Sequence, residues 1–298
     1  MQATVLFIIN PAAGRGRVGQ MRDRLEAAIR QQAQGQPFQI ALTQAPGHAT
    51  TLAHQAPPGS RVVAVGGDGT VHEVVRGLAG SDKALGVVPI GSGNDFARML
   101  GLHRLGLEAA LRTAFQGRVG SVDLGLVNDQ PYGASLGIGF DAAVARKALE
   151  APSFLRGMPR YLYSLFAVLK ELELPRLELV QKGQTLYQGP ALLVALMNGP
   201  TYGGGIPIVP DALPADGLLS VAVAGAFSRL GVVGILPRLL AGWHVGHPRV
   251  RFFQGDSFEV RFDRPIPAHA DGELLEPARE YRVGLRPGGL RVVQGQMA

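Results

Sequence analysis

The 298-residue sequence contains no cysteine, which excludes disulfide bridges and thiolate metal sites and fits a cytoplasmic protein. It also lacks any run of about 18 uninterrupted apolar residues. Even Ala226 to Trp243 is broken by Arg229 and Arg238, so no membrane-spanning helix is expected and any membrane contact would be peripheral. Met1 to Asn10 carries an apolar run but neither a basic leader nor a cleavage site, and reads as a first strand. Lysine-rich tracts and interleaved basic and aromatic residues are missing too. The basic excess, 29 Lys and Arg against 23 Asp and Glu for a net charge of +6, therefore points to nucleotides or acidic lipid surfaces and not to nucleic acid. His48 and His54 lie on a polar helical stretch with no other metal ligand nearby in sequence, and are expected to be solvated.

What is present is a large apolar fraction, 46% with mean hydropathy +0.14, enough for a sizeable core, and a length that suggests two domains. The chain is organised around Arg61 to Val75. Val62 to Val65 form an unbroken apolar run, as in a buried parallel strand, and Gly66-Gly67-Asp68-Gly69 ends it. Thr70 is placed to cap a helix, with Glu73 three residues on as in a capping box. Strand, glycine loop and helix start together suit a phosphate, because glycine lets the backbone approach and helix-terminal amides attract an anion. Asp68 is out of place there. A carboxylate repels phosphate unless a divalent cation lies between them or the acid handles a proton, and the plain alternative is a β-turn that uses Asp for local hydrogen bonds.

Two further loops repeat the pattern. Val5 to Ile9 runs into N-P-A-A-G-R-G-R-V-G, where Gly14, Gly16 and Gly19 fit G-x-G-x-x-G, before a polar helix from about Gln20 to Gln34. A dinucleotide fold would place an acidic residue after the second strand, yet Phe38 to Leu42 ends in Thr43-Gln44. Leu85 to Ile90 ends in G-S-G-N-D-F-A-R, with Ser92 and glycine amides for phosphate and Asp95 to cap a helix, bind a metal-bound water or hold a ribose. Loops on successive parallel strands share one crevice.

Beyond Ser121 to Gly125 the alternation gives way to short strands (Leu177 to Val180, Ala191 to Met197, Leu218 to Val223, Ser257 to Phe262), so a domain boundary is placed near 125. An α/β domain spans 1–125, a mainly-β domain spans 126–283, and a tail from about 284 to 298 is a candidate to return to the first. The one long helical pattern in the second half runs from Pro159 to Leu172, with Leu162, Leu165, Phe166, Leu169 and Leu172 on a face expected to pack on a sheet. Asp216, in a Pro-rich turn, could hold a hard cation with neighbouring carbonyls, although an Asp-Gly turn needs none. Ala268 to Glu273 reads as a hairpin turn with carboxylates at Asp271 and Glu273.

Taken together, N-P-A-A-G at Asn10, G-G-D-G-T at Gly66, P-I-G-S-G-N-D-F-A at Pro89, V-D-L-G at Val122, G-G-G from Gly203 with P-x-A-x-x-x-D-G-x-L after it, and A-D-G-E at Ala270 resemble the diacylglycerol kinase and sphingosine kinase catalytic-domain superfamily, in its soluble bacterial branch. The resemblance implies an ATP- and Mg²⁺-dependent kinase acting on a hydroxyl of diacylglycerol or a related lipid at the membrane surface, with a β-sandwich-like second domain and the site in the cleft between domains. It leaves a homodimer open. It assigns Asn10, Gly14, Thr43, Gly66, Gly67, Asp68, Gly69, Thr70, Ser92 and Asn94 to the nucleotide, Asp68, Asp95 and Asp123 to Mg²⁺ and its waters, and Glu273 to general base. Asp216 with the carbonyls of Leu213 and Leu218 is assigned to a structural magnesium. Ser92 replaces a common Thr, and Tyr132 to Phe140 lacks an Asn often found there. The alternatives are an NAD kinase, whose family shares G-G-D-G, and a non-catalytic nucleotide or lipid sensor. P-x-G-[ST]-x-N-D-F-A argues against the first, and the retained Asp68, Asp95, Asp123 and Glu273 argue against the second.

Overall fold

The structure is a computed structural model that describes residues 4–152, 154–155 and 158–295. The first half alternates: β1 Val5–Ile9, α1 Arg17–Gln20, α2 Arg22–Ala33, β2 Phe38–Leu42, α3 His48–Gln55, β3 Arg61–Gly66, α4 Asp68–Leu78, β4 Ala84–Pro89, α5 Asp95–Met99 and α6 Leu107–Gln116. The second half holds β5 Arg118–Val127, β6 Gln130–Tyr132, β7 Ser135–Gly139, α7 Phe140–Glu150, α8 Met158–Lys170, β8 Arg176–Gln181, β9 Gln184–Pro190 and β10 Leu193–Met197. It continues with β11 Thr201–Tyr202, β12 Ile206–Pro207, β13 Leu219–Ala224, α9 Arg229–Leu240, β14 Val250–Gly255, β15 Ser257–Ala270 and β16 Glu273–Gln294.

The apolar runs of β1 and β3 follow from burial on both sides of a parallel sheet. Val5, Phe7 and Ile9 join Val63 and Val65 in one core layer under α2 and α6, while Leu6, Ile8, Val62 and Ala64 join another under α3 and α4. β2, β1, β3 and β4 pair in parallel, so the loops that follow β1, β3 and β4 emerge side by side. In the second half, antiparallel β14, β13, β10, β7 and β15 share a separate core that includes Tyr132, Leu136, Val221 and Tyr281. β16 links the halves. It pairs with β15 from Ser257↔Gly284 onward and with β4 through Arg291↔Ala84 and Val292↔Leu85.

Several local expectations change. The helix after the central loop begins at Asp68, capped by Gly67 in extended conformation, so Thr70 and Glu73 form no capping box. Thr70 is buried inside the first turn, and Glu73 accepts the Ala49 amide at 3.0 Å. The second half contains α7 and α9 in addition to α8. The apolar face foreseen on α8 is split, with Leu165 and Leu169 buried but Leu162 and Phe166 41% and 54% exposed.

Tight packing leaves glycine without substitute at Gly125, where an added Cβ would come within 2.2 Å of the Tyr132 ring. Gly125→Ala should cost about 2 kcal/mol through overpacking, read as a lower urea midpoint at unchanged m-value.

Candidate active site

Three glycine loops converge where β1, β3 and β4 end. A Cβ on Gly14 would lie 3.3 Å from the Ile90 carbonyl, and one on Gly67 3.3 Å from Gly91 Cα, so the loops pack backbone on backbone. Asn10 donates from Nδ2 to Thr70 Oγ1 (3.0 Å) and accepts the Ala12 amide (3.0 Å), joining the first loop to α4. Thr43 anchors the end of β2 by its amide on the Ile9 carbonyl (2.9 Å). The amides of Asp68, Gly69 and Thr70 precede the first helical bond, Val71 N to Gly67 O at 3.1 Å, and so point out of the helix end as an anion site requires. Ser92 is exposed beside them.

Asp68 is not in an exposed turn, the setting its glycine neighbours suggest. It is half-buried, and its two oxygens accept the amides of Asn94 (2.8 Å) and Asp95 (2.7 Å), which fixes the loop after β4. Asn94 takes a left-handed conformation (φ 54) and clasps Gly91 by both its amide and its carbonyl. Asp95 in turn accepts Gly204 N and Gly205 N, each at 2.9 Å, so the G-G-G segment closes over the loop from the second half. Burial first, and the charge of Asp95 second, hold the Asp68 carboxyl above its ordinary pKa, with Asp271 adding to the effect.

That crowding decides how well a divalent cation fits. Carboxylates whose charges oppose one another, with one amide on each oxygen and lone pairs to spare, form a donor set that Mg²⁺ would stabilise. Among the described residues no group of three His, Asp or Glu side chains could hold a metal by itself.

Asp123 does not join this cluster. It is 2% exposed, and its carboxylate accepts Gly217 N and Gly288 N, both at 2.7 Å, while its own amide donates to Pro214 O. It is a clasp for the 213–218 turn, where Asp216 Oδ1 accepts the Leu218 amide at 3.0 Å as in an Asp-Gly turn and Leu213 is exposed.

The hairpin between β15 and β16 carries the other carboxylates. Asp271 (φ 51) and Gly272 (φ 90) make a two-residue turn with Ala270 paired to Glu273. Its neighbours in sequence point to no role for Asp271 beyond that turn. Its carboxylate accepts Gly133 N, Ala134 N and Ser135 N (2.7, 2.7 and 3.0 Å) and meets His72 Nδ1 of α4 at 3.0 Å. Burial alone would raise its pKa, but His72 and these amides outweigh burial and hold it below the ordinary value. The His72 contact docks the hairpin on α4. It sets Glu273 Oε1 over Gly69, 2.7 Å from where a Cβ there would lie. Glu273 is exposed, and among the described residues its carboxylate makes no hydrogen bond or ion pair.

From these carboxylates a cavity of about 440 Å³ runs into the second half. Asp68, His72, Ser92, Asp95 and Asp271 line its mouth, and its walls are mainly apolar side chains of β10, β13, α7, α8 and α9, including Phe140, Leu165 and Leu236, with Phe227 just before α9. Asp141, Tyr202 and His269, to which the sequence reading gave no function, interrupt the apolar wall.

The glycine loops that follow β3 and β4 face this apolar chamber of the second half, and the chain's similarities give its class. Residues 4–127 match the diacylglycerol kinase catalytic domain, and residues 134–294 match the YegS C-terminal NAD kinase beta sandwich-like domain. A Mycobacterium tuberculosis protein named "Diacylglycerol kinase" is 31% identical over 78% of this chain and 76% of its own length. A Cronobacter sakazakii protein named "Probable lipid kinase YegS-like" is 30% identical over 87% and 86%. The chain belongs to this diacylglycerol kinase and YegS-like lipid kinase family, whose members are phosphotransferases with an alcohol acceptor. The crystal structure of a diacylglycerol kinase from Bacillus anthracis superposes with a TM-score of 0.73 at 22% identity, covering 99% of this chain and 97% of that one. An NAD kinase from Archaeoglobus fulgidus shares the fold more distantly, with a TM-score of 0.53 at 11% identity.

Proposed function

We propose that the protein transfers the γ-phosphate of ATP, with Mg²⁺, to a hydroxyl of diacylglycerol or a related lipid. The carrying observation is a cavity lined at one end by the glycine loops and carboxylates and elsewhere by apolar side chains, as an acyl chain requires and as a nicotinamide nucleotide does not. The amides at the start of α4 and the Gly91–Asn94 loop bind the phosphates, with Asn10, Gly14 and Thr43 around the nucleotide. Asp68 and Asp95 hold Mg²⁺ through its waters; when bound, it neutralises charge that develops on the transferred phosphoryl group. Glu273 takes the proton of the lipid hydroxyl. Asp216 with the carbonyls of Leu213 and Leu218 holds a second cation that braces the turn clasped by Asp123.

The acceptor is reached at a membrane surface. Leu230, Leu240 and Trp243 are 85%, 64% and 76% exposed on and just after α9, beside exposed Arg229 and Arg238, and α8 adds Leu162 and Phe166. These helices wall the cavity, so an apolar face with a basic fringe lies next to the chamber. Trp243 is the only tryptophan. Its emission should shift to the blue with vesicles containing anionic phospholipid, and Leu240→Glu should weaken that binding by roughly tenfold. An unchanged spectrum would remove this face from the account. The reaction itself is tested by incubating the protein with ATP and mixed micelles and extracting lipid: a phosphorylated lipid that disappears with EDTA is expected, and its absence over a broad lipid panel contradicts the proposal.

A further inference from the structure

Asp141, His269 and Tyr202 form a polar island in the apolar wall of the cavity. Asp141 Oδ2 accepts from Tyr202 Oη at 2.7 Å and lies 3.1 Å from His269 Nε2. The side chains of His269 and Asp141 are only 6% and 13% exposed. His269 Nδ1 is buried with no hydrogen-bond partner among the described residues, and Asp141 Oδ1, buried beside the Ala142 amide, has no side-chain partner there. The sequence makes room for this pair: a Cβ on Gly137 would fall 2.1 Å from Asp141 Oδ2 and 2.5 Å from His269 Nε2. Leaving a buried polar atom unpaired costs about 1–3 kcal/mol, so an under-satisfied pair in a cavity wall favours a partner from outside the chain.

The chemistry of that partner follows from what is left over. Burial would raise the Asp141 pKa, but His269 and then Tyr202 hold it below the ordinary value, so it is ionised and can only accept. His269 faces the carboxylate with Nε2, and its Nδ1 is the other buried polar atom of the pair left without a partner. Tyr202 has already committed its proton. The island therefore centres on an ionised carboxylate with acceptor capacity to spare, and suits a donor. Diacylglycerol has one hydroxyl, which is the phosphoryl acceptor, and its ester oxygens only accept. Along β15, His269 stands two residues before Asp271 at the cavity mouth, about 7 Å away at the usual strand rise, which is the reach of a small polyol or amino-alcohol headgroup.

Building on the lipid-kinase reading, we propose that Asp141, with His269 and Tyr202, binds a second hydrogen-bond donor of the acceptor lipid, so that the preferred substrate carries a free hydroxyl or amine close to the hydroxyl that is phosphorylated. Asp141 is then a specificity-determining residue, remote from the phosphoryl group.

The test compares kcat/KM for a monoacylglycerol, a sphingoid base and a diacylglycerol of matched chain length, using labelled ATP, for the wild type and Asp141→Asn. The wild type should favour at least one donor-bearing lipid over diacylglycerol by tenfold or more, and the variant should bring that ratio to within about twofold. Equal use of all three by the wild type, or a variant that slows all three alike, overturns the proposal. The wild-type ratio decides even if the variant does not fold. If the wild type phosphorylates none of them, the kinase reading itself has failed. Displacement of a fluorescent alkylamine by the same lipids then still discriminates, because equal binding of monoacylglycerol and diacylglycerol overturns the island's role and tighter binding of monoacylglycerol upholds it.

Discussion

Glu273→Gln is expected to lower kcat by roughly 10²- to 10⁴-fold while leaving KM for Mg²⁺-ATP within about twofold. The assignment rests on which carboxylate has an oxygen to spare. Asp68 and Asp95 each have a backbone amide on both oxygens, and Asp271 has three amides and His72. A carboxylate held in this way has both oxygens committed to fixing neighbouring loops, so even Asp68, whose pKa burial raises, has none free to turn toward the acceptor hydroxyl. Glu273 alone of the four is unengaged among the described residues. It reaches the cleft from the second half, opposite the phosphate amides of α4, with Oε1 over Gly69. Steady-state kinetics with ATP and lipid varied separately tests this, and wild-type kcat in the variant would refute it.

Asp68→Asn should abolish the dependence of stability on Mg²⁺-ATP. A carboxyl whose pKa is raised on folding binds its proton more tightly in the folded than in the unfolded chain. Stability therefore falls as pH rises from the ordinary carboxylate range through the raised value, and at neutral pH ionised Asp68 is a liability. Asparagine removes that charge but offers one oxygen to two amides, at a cost of about 1–3 kcal/mol. The two effects oppose each other, and the melting temperature without ligand should stay within a few degrees. With ligand the forms diverge. At a hundredfold excess over Kd, binding adds about 2.7 kcal/mol to the wild type, roughly 4 °C in a protein of this size. The variant should show almost none of this and should lose roughly 10²-fold or more in kcat/KM. An intact Mg²⁺-ATP shift in the variant would take Asp68 out of the metal site.

Most of the first half was legible because its signals are local. Val62 to Val65 is buried on both faces, which forces an unbroken apolar run, and a loop that packs on another loop through Gly67 and Gly91 must be glycine. What the sequence concealed are contacts between residues far apart in the chain. His72 and Asp271 are 199 positions apart, and Asp141 and His269 are 128 apart. Nothing in V-H-E or A-H-A-D announces a partner. The partners of Asp123 were concealed for a similar reason, since the amides it binds, Gly217 and Gly288, come from distant turns. α9 was hidden because Gly231, Gly234 and Pro237 weaken its helical pattern, and its apolar residues face outward as well as inward. One signal for α7 was available: Asp141 directly after G-F, in the first turn of an alanine-rich segment, is a helix start.

The central claim is that the acceptor in this cleft is a lipid hydroxyl. One reaction tests it most directly: γ-labelled ATP and Mg²⁺ with a mixture of lipids in micelles and an equal concentration of NAD, followed by separation of the lipid and aqueous products. The account predicts label in a phospholipid, none in NADP, and loss of the lipid product in Glu273→Gln. Label in NADP with none in any lipid would contradict it.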